Sequence, residues 1–194
     1  MPTSKLTQLA RQKSAAQLQS MSRDSYRWMM KKIGELNNPT GIASVIARED
    51  RGNHFYNGGL YFFYYDPKTK ADLPYYDRFP LVLALDIQSD HFTGLNLHYL
   101  PIRYRIAFLD KLMDFAVLDK SNEIQRMRVS YEILNASRQF KEFKPCFKKY
   151  LMGHVRSKIL AVQPNEWEVA AFLPIQQFRK ASANQVWQES LEQI

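Results

Sequence analysis

The chain has 194 residues, with 27 Lys and Arg against 19 Asp and Glu and a formal net charge of +8. That length suffices for one domain with a buried core, and a single cysteine, Cys146, excludes an internal disulfide scaffold. Aromatic residues at 13% argue against disorder, and no stretch approaches the ~20 apolar residues that a spanning helix requires.

Met1–Ala16 carries Lys5, Arg11 and Lys13 without an apolar run, so it predicts neither a signal peptide nor a membrane anchor. Residues 3–36 read as helical. Leu6, Leu9, Leu18, Met21, Ser25, Trp28, Met29 and Ile33 recur at three- and four-residue steps, with a break near Ser20–Ser22. Ser22 can cap the second half, and Gly34 with Asn37-Asn38-Pro39 ends it. Residues 1–36 are thus a helical arm, with Lys5, Leu6, Leu9, Arg11 and Lys13 as its contacts with a neighbouring subunit.

From Ile42 the period changes to two. Ile42–Ala47 is an expected strand, and Arg48–Gly59 a polar loop or hairpin. Leu60–Tyr65 is wholly apolar or aromatic, as in a strand covered on both faces. Asp66-Pro67-Lys68-Thr69-Lys70 is a turn. Leu81–Ile87 is a strand, Gln88–Gly94 a turn and Leu95–Leu100 a further strand. Strands this short with such turns suit a small antiparallel sheet or half-open barrel.

After Pro101 the helical period returns, with Ile102, Ile106, Leu109, Leu112, Met113 and Ala116 on one face. Residues 126–135 and 145–155 are expected helices, Gly153 near the end of the second. Ser157–Val162 is a returning strand, Pro164–Phe172 a short helix or turn, and Ala183–Gln193 a helix bearing Val186, Trp187 and Leu191. The predicted class is α+β: the N-terminal helical arm, then a single α+β domain over 37–194 with C-terminal helices packed on its sheet.

The charge is blocky. Residues 1–36 carry +5, 37–125 carry −2, 126–158 carry +7 and 159–194 carry −2. Such blocks favour polyanions, because each neutralised phosphate releases condensed counterions; a solvated helix face or an acidic protein partner fits them equally.

No catalytic signature stands out. His54, His91, His98 and His154 lack zinc-site spacing, and there is neither a glycine-rich phosphate loop nor a Gly-x-Ser-x-Gly elbow. Cys146 has Lys144, Lys148 and Lys149 nearby but reads best as a small hydrophobe on a helix. A magnesium-dependent nuclease would draw on Asp77, Asp86 and Glu142-x-Lys144, although their spacing is unspecific and Asp77-Arg78 also fits an internal ion pair. No catalytic residue, metal ligand or cofactor is therefore assigned. The Tyr61–Tyr65 run reads mainly as core. Tyr75 and Tyr76, beside Lys68, Lys70 and Arg78, are the better candidates for stacking on bases.

Three segments carry a family likeness: Tyr61-Phe62-Phe63-Tyr64-Tyr65-Asp66-Pro67-Lys68, Leu73-Pro74-Tyr75-Tyr76-Asp77-Arg78-Phe79-Pro80-Leu81-Val82 and Gly94-Leu95-Asn96-Leu97-His98-Tyr99-Leu100-Pro101. Together with Arg138–Cys146 and His154–Lys158, they resemble a small virion protein of T-even-type tailed phages, the DNA end protector. The likeness runs over about residues 50–190.

The resemblance implies a late, low-copy, non-enzymatic structural protein that shields the terminus of packaged DNA from host exonuclease at the head–tail channel or in the tail. Its partners would be a double-stranded DNA end and other virion proteins of tail, baseplate or neck, with no membrane. It would form a symmetric homo-oligomer in the virion, assembled in the host cytoplasm. On charge alone, Arg126, Arg128, Lys141, Lys144, Lys148, Lys149, Arg156 and Lys158 are the DNA- or partner-binding residues. Two other readings stand beside it: a baseplate or tail-hub component making only protein contacts, and the magnesium-dependent nuclease.

Overall fold

The run Leu81-Val82-Leu83-Ala84-Leu85 offers no polar residue to either side of a pleat, so a strand formed from it needs cover on both faces. The computed structural model describes residues 55–102, 104–105, 141–162, 166, 169–170 and 176–193, with a few helical positions between 23 and 31. In it all five residues of the run are buried.

They belong to β3 (Leu81–Ile87), the middle strand of an antiparallel sheet with β1 (Leu60–Phe62), β4 (His91–Asn96), β5 (Phe147–Leu151) and β6 (Leu160–Ala161). The order is β5-β4-β3-β1-β6, and β2 (Tyr76–Asp77) pairs separately with β7 (Phe178–Arg179). Among the described residues β5 and β6 do not pair with each other, so of the two expected forms it is the small antiparallel sheet that they show.

Alternation splits the core in two. Leu60, Phe62, Leu81, Leu83 and Leu95 pack on one face with Leu97, Tyr99, Cys146 and Val186. Tyr61, Phe63, Val82, Ala84 and Phe92 pack on the other with Tyr65, Tyr150 and Met152. On that second face the Phe92 ring lies 4.8 Å from Phe55, 5.6 Å from Phe63 and 5.1 Å from Tyr150, distances at which aromatic pairs attract beyond their area burial. Gly94 sits where β4 crosses β3 so closely that a Cβ would meet the Leu83 carbonyl and the Val82 side chain.

The structure corrects three expected elements. Gln88–Gly94 is not a turn throughout: pairing with β3 and β5 draws His91–Gly94 into β4, and only the preceding residues turn. The expected Leu95–Leu100 strand ends at Asn96, whose side chain accepts from the His98 N–H at 3.0 Å and starts a 3₁₀ turn, Leu97–Tyr99. Residues 145–155 are not one helix. They run from a 3₁₀ segment, Lys141–Cys146, through β5 to a second 3₁₀ turn, Met152–His154. Pro145 disfavours the α conformation at Lys144, and pairing with β4 takes the backbone that follows.

The helix Ala183–Glu192 forms close to where its periodicity placed it. Ser182 Oγ accepts from the Gln185 N–H at 3.2 Å, and Val186 is wholly buried in the first core. β6 lies within the expected Ser157–Val162 strand. The 1–36 arm with Lys5, Leu6, Leu9, Arg11 and Lys13, the Ile42–Ala47 strand and the 126–135 helix lie outside the described residues, apart from the helical positions noted. So does most of the helix after Pro101.

Candidate nucleic-acid interface

The basic block divides when it folds. Arg126 and Arg128 lie outside the described residues; Lys141 lies in the 3₁₀ segment, and its side chain is outside them too. Lys144 and Arg156 are exposed and Lys158 half-buried. Arg156 and Ser157 are tied to the aromatic strand: the Arg156 N–H donates to the Tyr64 carbonyl and Ser157 Oγ accepts from the Tyr64 N–H, both at 2.8 Å. Of the block's described side chains, only Lys148 and Lys149, carried by β5, reach the cleft described next.

That cleft, about 500 Å³ in volume, lies between β5 and the segment from Tyr65 to Asp77. Lys68, Lys148 and Lys149 line it with Tyr65, Tyr75, Tyr76, Tyr99 and Tyr150. It therefore joins the proline-rich aromatic stretch to the basic block, two regions far apart in the sequence.

Lys148 is half-buried, its Nζ 4.1 Å from the centre of the Tyr99 ring. Burial lowers its pKa, because desolvation penalises the ammonium more than the neutral amine. The ring face supplies part of the lost solvation as a cation–π contact. Burial raises the Tyr99 phenol far above the ordinary tyrosine value, so it is neutral. Tyr75 is pushed up to about 12, first by burial and then by its hydrogen bond to Glu189 of the C-terminal helix.

The outer wall is held in place by Lys180, whose Nζ donates to the carbonyls of Ala71 and Leu73 at 2.7 and 2.9 Å. Lys180 adopts a φ of 70°, the left-handed region that non-glycine residues seldom enter. Lys70 is drawn back to Asp66 at 3.0 Å, and Arg78 donates to Tyr64 Oη at 3.2 Å while lying over its ring. Neither lines the cleft, so of the cations expected beside Tyr75 and Tyr76, only Lys68 does.

At the cleft wall Asp77 organises a buried polar network. Asp77 is 4% exposed; Oδ2 accepts from His98 Nδ1 at 2.5 Å and Asn96 Nδ2 at 3.4 Å, and Oδ1 from the N–H groups of Phe79 at 3.1 Å and Gln177 at 3.2 Å. The partner of Asp77 is therefore His98 and not Arg78. Burial lowers the His98 pKa most strongly, with Asp77 acting in the opposite sense, so the ring is neutral and donates from Nδ1. The buried cation is Arg105. Its Nε donates to Leu100 O at 2.8 Å, and Nη2 to His98 O at 3.2 Å and Gln176 Oε1 at 2.9 Å. Burial lowers it to about 10, so it is charged at neutral pH. Trp187 Nε1 donates to the same His98 carbonyl at 2.9 Å and ties the C-terminal helix to the 3₁₀ turn that follows β4.

Asp77 is thus a structural acceptor saturated by internal donors. Among the described residues no group of three or more His, Cys, Asp or Glu is placed to hold a metal ion. Cys146 is buried, and burial lifts its thiol to about 12 against the weaker opposite pull of Lys148 and Arg105. It is a core residue, in a 3₁₀ segment rather than the expected helix. Sequence reasoning missed Tyr99, Arg105 and Lys180. Only Arg105 left a signal, as a charge within the apolar pattern after Pro101.

A family model described as Phage T4 terminal DNA protecting protein matches residues 4–190, extending the likeness into the N-terminal arm. No curated protein matches the chain, and no solved structure does.

Proposed function

Because the chain belongs to the Phage T4 terminal DNA protecting protein family, we propose that it is a non-enzymatic component of the tailed-phage particle that binds the terminus of packaged duplex DNA and shields it. The observation that carries this reading is the cleft, in which Lys68, Lys148 and Lys149 surround a tyrosine surface. Lysines on phosphates fix position without reading sequence, which suits a protein that must hold an end whatever its bases. Protection then needs no bond making: a bound protein occupies the terminus that an exonuclease must engage. The basic surface around the cleft, with Lys144 exposed before β5, extends the interface along the duplex. In this reading the protein sits at the head–tail channel or in the tail, as a symmetric homo-oligomer among other virion proteins.

The test is binding to a blunt linear duplex and to a covalently closed circle across a salt series, with exonuclease digestion of the linear form in parallel. Replacing Lys144, Lys148 and Lys149 together by Gln is expected to weaken binding uniformly across sequences. It flattens log K against log salt by ~0.9 for each phosphate no longer neutralised, so by at most about 3. Protection of the linear form falls with it. Wild-type protein that ignores DNA at modest salt overturns the reading, and leaves these lysines to protein contacts in a baseplate or tail hub.

A further inference from the structure

A duplex does not fit into the cleft. Its volume of about 500 Å³ lies within the ~300–1,000 Å³ of pockets that enclose one small molecule, whereas the major groove of B-DNA alone is ~12 Å wide. A duplex end can rest on the rim, but only an unpaired nucleotide enters.

The lining is suited to one. Most of its tyrosine rings are already engaged: Tyr65 against Tyr150 at 4.9 Å, Tyr75 against Tyr99 at 6.0 Å, and Tyr99 against Phe178 at 5.1 Å. Tyr76 differs. It is half-buried in β2, and among the described residues no aromatic ring or cation is stacked on it. A base has a π face that such a ring can cover whatever its identity.

The cations are placed for the phosphate. No carboxylate pairs with Lys148 among the described residues, and its ammonium lies against the Tyr99 face. Lys68 is exposed on the opposite wall. The single acidic residue of the lining, Asp77, directs both its oxygens to internal donors.

We propose that the cleft takes one unpaired terminal nucleotide of a DNA end, its base stacked on Tyr76 and the adjoining phosphate against Lys148. The inference rests on the end-binding reading and deepens it: the chemical feature recognised is a frayed or overhanging strand, and the duplex behind it is held by charge alone.

The experiment compares one duplex carrying a blunt end, a short 5′ overhang, a short 3′ overhang or a closed hairpin, with 2-aminopurine as the terminal base. The expected result is roughly tenfold tighter binding to one overhang than to the blunt or hairpin end, in the range of one base–aromatic stack. Quenching of the terminal 2-aminopurine accompanies it. Tyr76→Ala abolishes both the preference and the quenching, and Tyr76→Phe keeps both. Lys148→Gln lowers affinity for the overhang by a larger factor than it lowers affinity for the hairpin, so the preference between the two shrinks. Equal affinity for every end with no quenching overturns the inference and leaves end shielding standing. Failure of the wild-type protein to bind any of the duplexes overturns both.

Discussion

Asp77 offers the sharpest test of how the cleft is held. Asp77→Ala removes three well-formed hydrogen bonds, from His98, Phe79 and Gln177, and one long one from Asn96. A hydrogen bond to a charged group contributes about 1.5–3 kcal/mol, and a buried donor left without its acceptor costs about 1–3 kcal/mol. These donors overlap with the loss of the negative charge that offsets Arg105, so the terms do not add. We expect about 4 kcal/mol in total, a large share of the ~5–15 kcal/mol that holds a domain together.

Asp77→Asn behaves differently. Its amide oxygen still accepts from Phe79 and Gln177. Its NH₂ group donates to His98 Nδ1 once the ring proton moves to Nε2, an atom with no partner among the described residues. The same NH₂ group cannot accept from Asn96 Nδ2, so that long bond is lost together with the charge, about 1–2 kcal/mol in all, comparable to exchanging a charge-assisted hydrogen bond for a neutral one. Urea denaturation followed by tryptophan fluorescence reports both, because Trp187 is joined to the network through His98. An alanine variant within about 1 kcal/mol of wild type, or an asparagine variant as unstable as alanine, refutes the network as drawn.

The same network sets a pH dependence. The folded state binds a proton at His98 less readily than the unfolded chain, because burial lowers the folded pKa below its ordinary 6.5. Stability is therefore full above that value and falls as the pH drops through it towards the lower folded pKa. Melting temperatures measured from about pH 7 down to pH 5 should decline less steeply in His98→Gln than in wild type; equal slopes remove His98 from the account. Cys146, buried with its thiol lifted to about 12, is expected to resist alkylation at about pH 8 in the folded protein and to react fully in denaturant. Rapid labelling of the native protein contradicts its placement in the core.

Much of the sheet was legible because its residues leave one solution. The all-apolar runs at Leu60 and Leu81 demand cover on both faces, and the two cores provide it. The C-terminal helix announced itself through Val186 and Trp187. β5 did not: Phe147, Tyr150 and Leu151 stand at three- and four-residue steps, which mimic a helix face, and only the partner strand β4 reveals the true period. The candidate site was half visible. Lys148, Lys149, Tyr75 and Tyr76 stood out by composition, but their meeting in one cleft depends on long-range pairing. The roles of Asp77 and Lys180 depend on partners distant in sequence, His98 and the Ala71 and Leu73 carbonyls, which no local pattern links to them.

The position of β5 has a consequence for solubility. It is the outermost strand on its side of the described sheet, with β4 as its neighbour. A terminal strand of this kind, carrying Phe147, Tyr150 and Leu151, would be a template for edge-to-edge pairing between copies. Its Lys148-Lys149 pair opposes that association: stacking two copies at this edge would bring four ammonium groups together in a confined space. The charge proposed above to meet phosphate would thus also oppose pairing between copies along this edge.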